Sequence, residues 1–198
     1  MEALNLRLFD WLNAPLQAPH LELDLAYTLA IYAIYLVPLL MIVGWLRRDP
    51  TRQRLALQAL LACVLALGVN EVIALLWQHP RPFVISVGHT YLDHAPNSSF
   101  PSDHMTIIST VAITLLLSRD RRRLGVAFAA IALGIAWSRV YLGVHFPLDM
   151  LGAVGVSVIV ASTVALTADR YLPTLHTLAR AIHRRLFGPL IARGWLPE

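Results

Sequence analysis

Residues 25–46, LAYTLAIYAIYLVPLLMIVGWL, carry no charged side chain, and residues 47–54, RRDPTRQR, carry four arginines. A helix rises about 1.5 Å per residue, so a run of this length crosses roughly 30 Å of bilayer hydrocarbon. In lipid the backbone must satisfy itself, which a helix does within one segment. The stretch therefore predicts a spanning helix with an abrupt basic end. Pro38 predicts a kink in it, since proline removes a donor and crowds the preceding turn. Trp45 marks one interface.

The same alternation recurs along the chain. Residues 55–77, 102–118, 124–144 and 149–167 read as four further spans, separated by a polar loop (79–100), a basic turn (119–123) and a short connection before Pro147. Pro147 is expected at the first helical position, where its missing N–H costs nothing. Residues 1–16 mix Leu4, Leu6, Leu8, Phe9, Trp11 and Leu12 with Glu2, Arg7 and Asp10. They are too short and too charged to span, and predict an amphipathic surface helix ending near Pro15. From Arg170 onward, Arg180, Arg184, Arg185 and Arg193 alternate with apolar residues, predicting a second, basic surface helix. The expected architecture is an all-α, polytopic membrane helix bundle of about five spans with amphipathic N- and C-terminal helices, a single domain over residues 1–198.

Composition agrees. The chain is 57% hydrophobic and 14% charged, with a mean hydropathy of +0.61, where soluble domains are about a quarter charged. The net charge of +4 is no sign of nucleic acid binding, because the basic residues are all arginine and fall in short clusters between apolar runs. That distribution is how membrane proteins mark their cytoplasmic side. The single cysteine, Cys63, lies inside an apolar run and offers no disulfide framework. Glu2 and Asp10 near the start argue against a cleavable signal peptide.

With five spans, the loop 47–54, the turn 119–123 and the C-terminal tail share one side, which the positive-inside rule makes the cytoplasm. The loop 79–100 and the connection 143–147 then face outward with the N-terminus. Three polar stretches meet there: His79-Pro-Arg-Pro-Phe83, Ser99-Phe-Pro-Ser-Asp-His104, and Ser138-Arg-Val-Tyr-Leu-Gly-Val-His145 followed by Asp149. Ser102 is placed to cap the third span, whose N-terminal N–H groups suit a phosphate. Arg139, several residues inside an apolar span, faces a polar cavity or partner, or else snorkels to the outer interface. Its guanidinium offers a fork of donors that matches a phosphate. His145 and Asp149 are four apart at a helix start, so the carboxylate can reach the ring, fix its tautomer and leave the other nitrogen free to attack. His104, from a different helix, could protonate a departing oxygen. These residues compose a metal-free phosphoryl-transfer site that works by positioning and charge stabilisation.

The same residues carry a resemblance to the type 2 phosphatidic acid phosphatase superfamily, which includes the vanadium haloperoxidases. Its signature is Lys, six residues, Arg-Pro; then Pro-Ser-Gly-His; then Ser-Arg, five residues, His, three residues, Asp. Pro101–His104 and Ser138–Asp149 match the second and third parts, and Arg81-Pro82 ends the first. The resemblance implies that His145 is the phosphorylated nucleophile, Asp149 its orienting carboxylate and His104 the general acid. It places Arg81, Ser102, Ser138, Arg139 and the Asp103 backbone in the phosphate-binding motifs. No cofactor and no metal are implied.

Two positions depart from the signature. Ala74 stands where the lysine is expected, in a chain with no lysine at all, and Asp103 replaces the glycine. The Asp103 carboxylate must point away, take a proton or bind a water. His79-Pro-Arg-Pro-Phe83, His94-Ala95 and Ser99-Phe-Pro-Ser-Asp-His104 together further resemble the bacitracin-resistance-type undecaprenyl pyrophosphate phosphatases. The substrate so implied is an isoprenoid pyrophosphate lipid, met at the outer face of a bacterial cytoplasmic membrane, with membrane lipids as surroundings and no nucleic acid partner.

Other readings have specific requirements. A broader lipid phosphate phosphatase, acting on phosphatidylglycerophosphate or phosphatidic acid, would use the same core. A transporter or scaffold would need a polar path through the membrane, whereas the ionisable residues gather at one face. His79, His89, His94, His104 and His145 all lie outward, but the usual paired-His metal spacing is missing. Glu71, costly at membrane depth, is expected to pair with Arg139 or Arg81 or to support helix packing.

Overall fold

The computed structural model describes residues 2–47 and 49–196, so Met1 and the Arg48 of the first basic cluster lie outside the described residues. The described residues form eight α-helices joined by turns and by one long loop before α5: α1 (Glu2–Leu12), α2 (His20–Tyr27), α3 (Leu36–Leu46), α4 (Pro50–Leu76), α5 (Asp103–Leu117), α6 (Arg122–Tyr141), α7 (Pro147–Leu166) and α8 (Ala168–Ala192). Among the described residues, four stretches are long and apolar enough to cross a membrane: His20–Leu46, Pro50–Leu76, Arg119–Tyr141 and Pro147–Leu166. The first joins α2 and α3 through a π-helical turn (Thr28–Tyr32) and a 3₁₀ turn (Ala33–Tyr35). The irregularity ends just before Pro38, whose ring cannot tolerate a regular preceding turn. The kink expected from that proline is thus spread over the two turns that precede it.

Helix starts follow local chemistry. Asp49 accepts the Thr51 N–H at 2.9 Å, with Pro50 opening α4. Pro147 opens α7, and Asp149 in its first turn accepts the Phe146 N–H at 2.8 Å. Both devices satisfy amide groups that a helix end leaves unpaired.

The central helix is α5, packed between α4, α6 and α7. Its 15 residues span about 22 Å, less than the hydrocarbon thickness. Met105, Ile108, Val111 and Leu115 join Phe128, Ile135 and Phe146 in the main apolar core. A polar stripe accompanies them. Thr110 donates to Ser157 Oγ at 3.1 Å, and Ser157 reaches the Thr106 and Ala153 carbonyls at 3.0 and 2.8 Å. Between helices in lipid, packing and such side-chain bonds replace the hydrophobic effect as the source of cohesion.

The two terminal helices differ from each other. α1 ends at Leu12, short of the expected Pro15, and is docked rather than merely laid on the surface. Phe9 is fully buried, edge-on to Phe146 at 5.2 Å, and Asn5 accepts the Leu148 N–H at 3.1 Å. Trp11 stays exposed. α8 is strongly two-faced: His176 and His183 are buried against the bundle, while Leu178, Ile182 and Leu186 line an open apolar stripe.

Candidate active site

The site forms where the N-terminal end of α5 meets the C-terminal end of α6, the N-terminal end of α7 and the loop before α5. Two glycines permit the approach. Gly143 has φ +79, and a Cβ there would lie 2.1 Å from the His89 carbonyl oxygen, so only glycine fits the turn that delivers His145. A Cβ on Gly152 would lie 2.2 Å from the Phe100 ring, which packs flat on α7 just ahead of Pro101.

Asp149 is fully buried in the first turn of α7. Three donors converge on its Oδ2: Ser99 Oγ at 2.5 Å, the Phe146 N–H at 2.8 Å and His145 Nδ1 at 3.2 Å. The tautomer of His145 follows from its other side. Arg81 Nη1 approaches Nε2 at 3.1 Å, and a guanidinium only donates, so Nε2 holds the lone pair and Nδ1 the proton. Burial, aided by Arg81 and Arg139, pushes the pKa of His145 well below its ordinary 6.5. The imidazole is therefore neutral at neutral pH, with its lone-pair nitrogen facing Arg81.

Arg81 is largely spoken for. Its guanidinium donates to Asn97 Oδ1 at 3.0 Å, the Val144 carbonyl at 2.9 Å and the Ser98 carbonyl at 3.2 Å, besides His145. Burial lowers its pKa to about 10, opposed by the Asp149 and Asp103 charges, so it stays protonated at neutral pH. Arg139 is the opposite case. It is only 3% exposed, yet no hydrogen bond or ion pair among the described residues uses its guanidinium, and its Nε is buried without a partner. Ser102 Oγ is likewise buried and unpartnered. Ser102 occupies the N-cap position of α5 but makes no side-chain cap, which leaves both its hydroxyl and the first amides of the helix available. A buried guanidinium and a buried hydroxyl without protein partners, beside a helix N-terminus, form an oxyanion-binding arrangement.

The remaining predicted residues fall as follows. His104 is half-buried in the first turn of α5. Ser138 is buried, and its hydroxyl donates to the Ile135 carbonyl at 2.9 Å, so toward a ligand it can only accept. Asp103 turns its carboxylate toward α4, where Asn70 Nδ2 donates to it at 2.8 Å and to Thr106 Oγ1 at 3.0 Å. Of the open alternatives, pointing aside is the one adopted. Glu71 is exposed on α4, and among the described residues no ion pair joins it to Arg81 or Arg139. Its neighbour Asn70 takes the inward position on the helix instead.

Sequence reasoning passed over Ser99, Asn97 and Asn5 as site residues. Ser99 stood at the head of the polar stretch, which was a usable signal; the other two act across the chain and left none. Among the described residues, no three His, Cys, Asp or Glu side chains gather as a metal cluster.

The chain is similar to known membrane phosphatases in sequence and in fold. The Escherichia coli (strain K12) protein YbjG, an undecaprenyl-diphosphatase by name, is 38% identical over 198 residues, covering 100% of both chains. Undecaprenyl-diphosphatase BcrC of Bacillus subtilis (strain 168) is 31% identical over 149 residues, 75% of this chain and 76% of its own. Among solved structures, a transmembrane PAP2-type phosphatidylglycerolphosphate phosphatase from Bacillus subtilis superposes with a TM-score of 0.66 at 22% identity, covering 86% of this chain and 87% of that one. Aquifex aeolicus LpxE gives 0.60 at 26% identity, over 82% and 94%. Residues 55–171, which contain every part of the signature, match the PAP2 superfamily, and this chain belongs to it.

Proposed function

We propose that this multi-pass membrane protein is a lipid pyrophosphate phosphatase that converts undecaprenyl pyrophosphate to undecaprenyl phosphate at the outer face of the bacterial cytoplasmic membrane. The observation that carries the phosphatase reading is the buried, unpartnered pair Arg139 and Ser102 beside a neutral His145. The names of its relatives YbjG and BcrC support the lipid pyrophosphate. The grouping of arginines at the opposite end of the bundle supports the outward site.

The terminal phosphoryl group enters among Arg139, the Ser102 hydroxyl and the first amides of α5. Arg81 Nη1 shifts its donor from His145 Nε2 to a phosphoryl oxygen, which frees the lone pair as it neutralises the electrophile's charge. Nε2 then bonds to phosphorus, and the bond from phosphorus to the bridging oxygen breaks. His104 gives that oxygen its proton. Asp149 Oδ2, held by Ser99 and the Phe146 amide, steadies the ring as positive charge develops on it. Water next attacks the phosphohistidine, losing a proton to His104, and orthophosphate leaves. Asp103 keeps its carboxylate on the Asn70 side throughout, away from the anion. The tail stays in the bilayer and reaches the site between helix ends.

The test is phosphate release by purified protein from undecaprenyl pyrophosphate and from phosphatidylglycerophosphate, each with EDTA present. Faster release from the pyrophosphate, undiminished by chelator and blocked by vanadate, is expected. Loss in chelator with rescue by a divalent cation would overturn the metal-free mechanism, and preference for the glycerophosphate would overturn the substrate. For sidedness, Ser86→Cys and Thr51→Cys are compared in a Cys63→Ser background. An impermeant thiol reagent should label intact cells only at position 86.

A further inference from the structure

The family motifs account for one phosphoryl group. A diphosphate carries two, and the second, which remains on the lipid, must also be met by the protein. His94 lies outside the three-part signature, in the loop that precedes α5. Its half-buried ring stands 6.2 Å from the His145 ring, centroid to centroid, at 72°. Its Nδ1 is 3.1 Å from the Ala95 carbonyl, which can only accept, so Nδ1 carries the proton and Nε2 is left as a free base. No hydrogen bond among the described residues uses that Nε2.

We propose that His94 is a specificity-determining residue whose Nε2 takes a proton as a diphosphate binds and holds the phosphate that stays on the lipid. The inference rests on the pyrophosphate reading given above. The charged and titratable groups that face His94 are Arg81 from the same loop, Asp103 and His104 from α5, Arg139 from α6, and His145 from the α6–α7 turn. Burial and the two arginines keep the ring neutral in the free protein, against the weaker pull of Asp103 and the Ala95 bond. An incoming anion adds negative charge at Nε2 and reverses that balance, so binding takes up one proton. The contact strengthens as the bridging bond breaks and the lipid phosphate gains charge, which favours the transition state over the ground state. Asp103 cannot compete for the ring, because Asn70 holds its carboxylate toward α4.

Two inhibitors separate the two phosphate positions: methylenediphosphonate fills both, and orthovanadate mimics only the group on His145. In His94→Ala the inhibition constant of the diphosphonate should rise by about tenfold, the loss expected for one charge-assisted hydrogen bond. That of vanadate should stay within about twofold and doubles as the check on folding. The KM for undecaprenyl pyrophosphate should rise with pH above neutrality in the unaltered protein, and this dependence should be absent from both His94→Ala and His94→Gln. Equal weakening of both inhibitors would mean a structural role for His94, and no weakening of either would mean no role; either result overturns the assignment. If the unaltered protein releases no phosphate from undecaprenyl pyrophosphate, the pyrophosphate reading itself falls, a result distinct from those two.

Discussion

Two clusters of buried polar side chains lie at opposite ends of this bundle, and they are built on opposite rules. At the basic end, Gln53, His176 and His183 are buried and hydrogen-bonded. His176 Nε2 donates to Gln53 Oε1 at 2.9 Å, Gln53 Nε2 donates to the Trp45 carbonyl at 3.0 Å, and Trp45 Nε1 donates to His183 Nδ1 at 3.2 Å. These bonds clip α8 to the ends of α3 and α4. At the opposite end, Arg139 and Ser102 are as deeply buried, yet among the described residues no hydrogen bond reaches the Arg139 Nε or the Ser102 hydroxyl. Burying a polar group unpaired costs roughly 1–3 kcal/mol, more for a charge, so a fold keeps such groups where a ligand completes them. The paired groups hold helices together, and in the proposed reaction Arg139 and Ser102 are completed by the substrate's phosphate.

The sharpest way to break this distinction is at His145. Replacing it with alanine should lower phosphate release by at least about 10⁴-fold, because a nucleophile has no substitute. A radiolabelled phosphohistidine should form on the unaltered protein and be absent from the variant. The pH dependence of labelling carries a second check. A histidine whose pKa is depressed by burial is neutral above that lowered value, so the nucleophile remains available where an ordinary imidazole is already half protonated. Labelling should therefore hold steady from about pH 7.5 to about pH 6. A fall centred near 6.5 would show that the ring is not held neutral.

Arg139→Ala tests the unpaired cluster directly. The loss in kcat/KM should be about 10²–10³-fold, the usual worth of a preorganised donor to transition-state charge. Thermal stability should hold or rise, since a buried charge without a partner destabilises the free protein. A large fall in Tm would place Arg139 among the structural groups instead.

How far these roles were legible in the sequence depends on the distance over which each is encoded. The bilayer fixes the length of a spanning segment, so the apolar runs and arginine clusters located the helices within a few residues. His145 and Asp149 were equally plain, being one helical turn apart. Contacts across the chain were not. Nothing local to Asp103 says that Asn70 will hold it, and nothing in residues 2–12 says that Phe9 will pack on Phe146. For Glu71 the sequence showed the cost of a carboxylate in a span but not its direction, which a rotation of α4 by one residue decides. Ser99 shows the same limit at smaller scale, as its bond to Asp149 crosses from the loop to α7.

Ser99 also offers an intermediate effect. Its removal leaves Asp149 Oδ2 with the Phe146 amide and His145, so the catalytic pair survives with a looser geometry. A hydrogen bond to a charged group is worth about 1.5–3 kcal/mol, and Ser99→Ala should lower kcat by about 10–100-fold with little change in KM. Ser99→Thr, which keeps the hydroxyl, should recover part of the loss. A KM effect without a kcat effect would move Ser99 from positioning the carboxylate to binding the substrate.

The smallest change is expected from Gln53→Ala, and it tests the paired cluster. Gln53 is 5% exposed and joins Trp45 to His176 through both ends of its amide. Side-chain hydrogen bonds within membrane proteins average about 0.6 kcal/mol, and the groups left behind add a desolvation penalty of about 1–3 kcal/mol. A net loss of about 2 kcal/mol follows, which for a chain of this size lowers Tm by about 2–4 °C per kcal/mol. Because the clip lies at the other end of the bundle from His145, kcat and KM measured well below Tm should match the unaltered protein. The pairing of the two variants is the decisive measurement: Gln53→Ala should cost stability and spare turnover, and Arg139→Ala the reverse. If Gln53→Ala slowed turnover at a temperature where the protein is fully folded, the polar network under α8 would be coupled to the site. The contrast between paired and unpaired clusters would then describe one connected machine with two ends.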